Sequence, residues 1–137
     1  MIKVLYGEKG KGKTKVLVES ANGLVETCPG HIVFLDDSND LIHRLNREIR
    51  FINVLDFPVK GVPGFFGFIC GMISQNYDIQ SVFIDGLTYI LNQQADSFEG
   101  LFKDLKQISE QYGIDFHISI NGKEDNIPKF LEEYVDF

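Results

Sequence analysis

The sequence predicts a single-domain α/β fold, with a mainly parallel five-stranded sheet and helices on both faces. Three observations predict it. The chain has 137 residues, a length suited to one domain spanning 1–137. Five short apolar runs alternate with segments of helical spacing, the order that sheets built from βαβ units require. Hydrophobic residues make up 44%, enough for a core that needs no disulfide or metal to hold it.

Ile2 to Tyr6 is a short run with β-branched and aromatic residues, which reads as a buried strand. A glycine-rich loop follows, and then a helical stretch from Lys13 to about Asn22. His31 to Asp36 is the second strand. Ser38 can cap a short helix carrying Leu41, Ile42 and Leu45. Phe51 to Leu55 is the third strand, and Pro58, Gly61, Pro63 and Gly64 make a loop. Phe65, Phe66, Phe68, Ile69, Met72 and Ile73 repeat at helical spacing. This reads as a helix whose glycines allow close packing on the sheet, or else as an exposed contact for a partner or membrane surface.

Ser81 to Ile84 is the fourth strand, ending at Asp85. Asp96 and Glu99 have capping-box spacing before a helix with Phe98, Leu101, Phe102, Leu105 and Ile108 on one face. Gly113 is placed to stop that helix. Phe116 to Ile120 is the fifth strand, and a last helix is expected from about Pro128 to Tyr134.

A net charge of −7 argues against a general nucleic-acid binder. Cys28 and Cys70 form no C-x-x-C pair and read as free thiols, as suits a reducing cytosol. The N-terminal apolar run is broken by Gly7 too soon for a signal peptide. Phe65 to Ile73 is about half the length of a membrane span. The acidic stretch Glu132 to Phe137 shows no targeting signal. The expectation is a cytoplasmic protein.

In parallel sheets ligands bind beyond the carboxyl ends of the strands. Gly7 to Thr14, Asp36, Asp37, Asp56, Asp85 and Asn121 would all reach that rim. The stretch Gly7-Glu8-Lys9-Gly10-Lys11-Gly12-Lys13-Thr14 satisfies G-x-x-x-x-G-K-[ST] in full, after a strand and before a helix. Glycines allow positive φ, so that backbone N–H groups can turn toward an anion. The following helix points its positive dipole end at phosphates. Lys13 supplies a flexible charge to the β- and γ-phosphates, and the Thr14 hydroxyl can bind Mg²⁺. Asp85 is the expected second ligand of the ion. Asn121 could reach the γ-phosphate or the attacking water, or else form a turn with Gly122. His117 reads as a partly buried structural residue.

These residues resemble the RecA-like group of P-loop ATPases, over about 120 residues in order. Gly7 to Thr14 looks like that family's phosphate loop, His31 to Asp37 like its second strand, and Val82 to Thr88 like its magnesium-aspartate strand. The resemblance implies bound ATP and Mg²⁺. It also implies nucleotide-binding roles for Gly7, Glu8, Lys9, Gly10, Lys11, Gly12, Lys13, Thr14 and Asn121, with Thr14 and Asp85 on the metal.

The chain departs from the family in its base. The family's glutamate past the second strand is replaced by Asp36-Asp37-Ser38, and Gly86 stands where related ATPases carry a glutamate. Lys13, Asp36 and Asp37 are therefore the catalytic candidates, and hydrolysis is expected to be weak or to need a partner, either another protein or a second copy. Arg44, Arg47 and Arg50, spaced three apart, would lie on one helical side, as a solvated face or as a source of an arginine finger. Two alternatives stand beside the ATPase: a small-molecule or nucleoside kinase, and a regulatory module that keeps the loop without using nucleotide energy. The lack of an N-K-x-D signature favours adenine.

Overall fold

Five strands form one sheet in which every pairing is parallel, and the computed structural model describes residues 1–135. Asp136 and Phe137, the end of the acidic stretch, lie outside those residues. The strands are β1 (Ile2–Gly7), β2 (His31–Asp36), β3 (Arg50–Asn53), β4 (Ile79–Ile84) and β5 (Asp115–Asn121). The helices are α1 (Lys13–Leu24), α2 (Gly61–Gln75), α3 (Leu87–Leu91) and α4 (Glu99–Tyr112). The strand order is β1-β5-β4-β2-β3, so β5 stands between β1 and β4.

Alternate residues along each strand point to opposite faces. Val4, Val33, Val82 and Ile118 pack on one face with Phe65 and Ile69 of α2, Leu87 of α3 and Leu101 and Leu105 of α4. Ile32, Phe34 and Phe83 pack on the other face with Leu17, Val18 and Ala21 of α1. Because both faces are covered, the strands are apolar almost throughout. Phe34, Phe65, Phe83, Phe98, Phe102 and Phe116 are fully buried. Each contributes roughly 1.5–3 kcal/mol from burial alone.

Several local expectations are corrected. Residues 37–49 form turns and no helix. Leu41 and Leu45 are buried as expected, but Ile42 is exposed. Side chains satisfy this backbone instead: Asn22 Nδ2 donates to Arg44 O, Asn22 Oδ1 accepts from Asn46 N, and Asn46 Oδ1 accepts from Glu48 N. Arg44, Arg47 and Arg50 therefore share no helical side.

The third strand begins at Arg50 and stops at Asn53, whose side chain accepts from Leu55 N and turns the chain into a 3₁₀ turn over Val54–Asp56. Pro63 and Gly64 belong to α2 and not to a loop. Proline is tolerated in a first turn, where its missing N–H has no partner to lose. The glycines of α2 do not pack on the sheet. Phe65, Ile69 and Ile73 do, while Gly67 and Gly71 lie exposed with open space above them.

No capping box forms at α4: a 3₁₀ turn over Ala95–Phe98 places buried Phe98, and not Asp96, at the helix start. Gly113 ends α4 in the left-handed conformation, with φ 67°. The last helix is only a 3₁₀ turn at Lys129–Leu131. Beyond it the chain turns to meet β1, where Val4 N donates to Tyr134 O at 2.9 Å and Val135 bridges Val4. The free edge of β1 offers backbone hydrogen bonds that compete with further helix.

Candidate functional site

The carboxyl end of β1 runs directly into the loop over residues 7–14. Gly10 and Gly12 have φ values of 88° and 84°. L side chains rarely adopt that region, which is why glycine stands at both. Gly12 precedes α1 and supplies no side-chain cap, so the first-turn N–H groups face the loop without one. Lys13 folds back over the loop, and its Nζ donates to Gly7 O at 2.9 Å and Glu8 O at 2.7 Å. Burial lowers its pKa, opposed by the charges of Asp85 and Glu124.

Three neighbouring strands bring polar side chains to the cleft beside Thr14 of α1. Leu35 pairs with Ile84, and Ile84 with Ile118. The next residue on each strand is Asp36, Asp85 and Ser119. Thr14 Oγ1 donates to the Asp85 carboxylate at 2.9 and 3.2 Å. Ser119 Oγ donates to Asp85 Oδ1 at 2.7 Å and accepts from Gly86 N at 2.7 Å. Two hydroxyls thus aim one buried carboxylate.

Asp36 is buried beside it, and its Oδ1 accepts from Asp37 N at 2.7 Å. Burial, the side chain of Asp37 and the charge of Asp85 push the Asp36 pKa up to about 8. Asp36 therefore holds a proton at neutral pH and is a poor acceptor for another.

These groups border an open cleft of about 650 Å³. Lys9, Gly10, Gly12, Lys13 and Thr14 line it from the loop side. Asp36, Asp37, Asp85 and Asn121 line it from the strand ends. A second cleft of about 580 Å³ adjoins it and shares Lys9, Tyr89 and Asn121. Glu8 lines the second cleft only, Gly7 ends β1, and Lys11 is exposed and lines neither. Asp56 is not brought to the site: it is exposed beyond β3, 3.5 Å from Asn53 Nδ2. Arg44 lines the first cleft, whereas Arg47 and Arg50 line a separate groove.

The wall residues missed from the sequence include Ser119 and Tyr89. Ser119 carried a weak signal, since it alternates with His117 and Asn121 along β5. Tyr89 carried none; Lys9 Nζ lies 5.6 Å from the centre of its ring.

Among the described residues, no three His, Cys, Asp or Glu side chains gather to hold a metal, and no helix is long and apolar enough to cross a membrane. Cys28 and Cys70 are free and half-buried. No protein-family model matches the chain, and no curated protein is significantly similar to it.

Proposed function

We propose that the chain binds Mg·ATP in the first cleft as a RecA-like P-loop protein, with slow or partner-dependent hydrolysis, and acts as a switch or a subunit of a larger assembly. The observation that carries this reading is the contact of Thr14 with Asp85, residues 71 apart in sequence, at 2.9 Å. A hydroxyl and a carboxylate are hard oxygen donors. Magnesium needs only one or two such protein groups when phosphates and water complete its shell. The donor set therefore fits the ion, which would neutralise phosphate charge there.

The loop amides and the α1 dipole would hold the β-phosphate. Lys13 would exchange two neutral carbonyl acceptors for phosphate oxygens, which form stronger charge-assisted bonds. Ser119 would keep Asp85 oriented, and Asn121 would face the terminal phosphate. A proton on Asp36 and a glycine at position 86 are both consistent with slow turnover.

Calorimetric titration with Mg·ATP tests the reading, with Lys13→Ala alongside. Binding that is lost in the variant supports it; no binding to the unaltered protein ends it. One observation favours a second reading, phosphoryl transfer to a small molecule: the adjoining cleft meets the first at Lys9, Tyr89 and Asn121 and offers room for an acceptor. A burst of ADP that depends on an added acceptor would decide for it.

A further inference from the structure

The strand order β1-β5-β4-β2-β3 gives the first cleft a direction. The loop follows β1, Asp85 follows β4, and Asp36 ends β2. Magnesium bridges the β- and γ-oxygens of a bound nucleoside triphosphate. With the β-phosphate in the loop and the ion between Thr14 and Asp85, the γ-phosphate therefore points toward β4 and β2, and the nucleoside points away from them. The chain leaving β2 walls the cleft with Asp37, Asp40 and Arg44.

The backbone of Arg44 is fixed to the helix that follows the loop. Asn22 Nδ2 of α1 donates to Arg44 O at 3.0 Å, and Arg44 N donates to Leu41 O at 2.9 Å. Leu41 and Leu45 bracket it and are buried with Leu17, Val18 and Ala21 of α1. The side chain of Arg44 is exposed, and among the described residues no carboxylate forms an ion pair with it. Four carboxylates, Asp36, Asp37, Asp40 and Asp85, line the same cleft. A γ-phosphate entering there adds charge of the same sign, which cations must offset.

We propose that Arg44 binds the γ-phosphate of the nucleotide held by its own chain and so makes the site distinguish ATP from ADP, an inference that rests on the Mg·ATP reading above. The other cations are placed differently. Lys9, Lys13 and Lys15 belong to the loop and the first turn of α1, where the β-phosphate would sit, and Arg47 and Arg50 line a separate groove. A guanidinium matches phosphate oxygens with a planar fork of donors, whereas an ammonium offers a point charge. The arginine thus comes from the chain that binds the nucleotide, and no neighbouring copy has to supply it.

The test is calorimetry with magnesium and either ADP or the non-hydrolysable β,γ-imido analogue of ATP, on the unaltered protein, Arg44→Ala, Arg44→Lys and Arg47→Ala. Arg44→Ala should weaken the triphosphate about 10- to 100-fold and leave ADP within about two-fold, the loss expected for hydrogen bonds to a charged group. Arg44→Lys should fall between, and Arg47→Ala should match the unaltered protein with both ligands. Unchanged triphosphate affinity in Arg44→Ala overturns the proposal. So does equal weakening of both ligands, which would put the guanidinium on the nucleoside side. Recovery of triphosphate binding on mixing Arg44→Ala with Lys13→Ala would place the arginine in a neighbour's site and overturn it as well. In each of these outcomes the binding reading stands. If the unaltered protein binds neither ligand, both fall.

Discussion

The imidazole of His117 lies flat against the ring of Phe83, with centroids 4.3 Å apart and planes 9° from parallel. Its Nε2 is buried and has no hydrogen-bond partner. Burial lowers the pKa of His117, with Asp115 opposing. The folded state thus binds fewer protons than the unfolded one just below pH 6.5, so stability is full above that pH and is lost as pH falls through it. The thermal-unfolding midpoint of His117→Phe should therefore rise relative to that of the unaltered protein as pH falls from 7 to 5. A difference between the two proteins that does not change with pH would contradict the shift.

Asp36 carries the opposite sign. Its pKa is raised to about 8, so the folded state binds more protons than the unfolded chain from about pH 4 upward. The associated stability is complete below the unfolded value and is lost as pH rises through 8. Asparagine mimics the protonated acid. Asp36→Asn should therefore match the unaltered protein in urea unfolding at pH 4 and exceed it at pH 9. Equal midpoints at both pH values would contradict the shift.

The Thr14–Asp85 contact predicts a metal effect separable from nucleotide binding. Asp85→Asn keeps a hydrogen-bond acceptor for Thr14 but loses the charge. Affinity for ATP with magnesium should fall about 10- to 100-fold, while affinity with chelator present should change little. Equal weakening in both titrations would remove the ion from the account.

Two glycine substitutions should differ in sign. Gly122→Ala drives a methyl into the Tyr6 phenol and should cost about 1–3 kcal/mol. Gly67→Ala adds a methyl to open space on α2 and should stabilise by about 0.5–1 kcal/mol. Chemical denaturation of both variants measures the difference.

The alternation of strands and helices was legible because burial on both faces leaves long apolar runs, and HIVFLD was bounded to the residue. The rim positions of Asp36, Asp85 and Asn121 were legible for the same reason, since a strand's end fixes where its next polar residue emerges; Asp56 was misplaced because β3 stops at Asn53. Two of the misses have a common cause. Residues 37–49 and 128–134 are governed by partners far away in sequence, Asn22 for the first and the Val4 backbone for the second. Local periodicity carries no record of such partners.

The two outer edges of the sheet differ. Along β1, the Val4 backbone is already engaged by Tyr134 and Val135, whereas β3 is only four residues long. Short or covered edges are how natural sheets avoid recruiting a foreign strand. Each edge thus has its own guard against templated aggregation, and the guard on β1 is a segment anchored in the core by the buried Leu131. Loosening residues 128–135 would bare the β1 edge and open the core at Leu131 together, so self-association and loss of packing would arrive as one event.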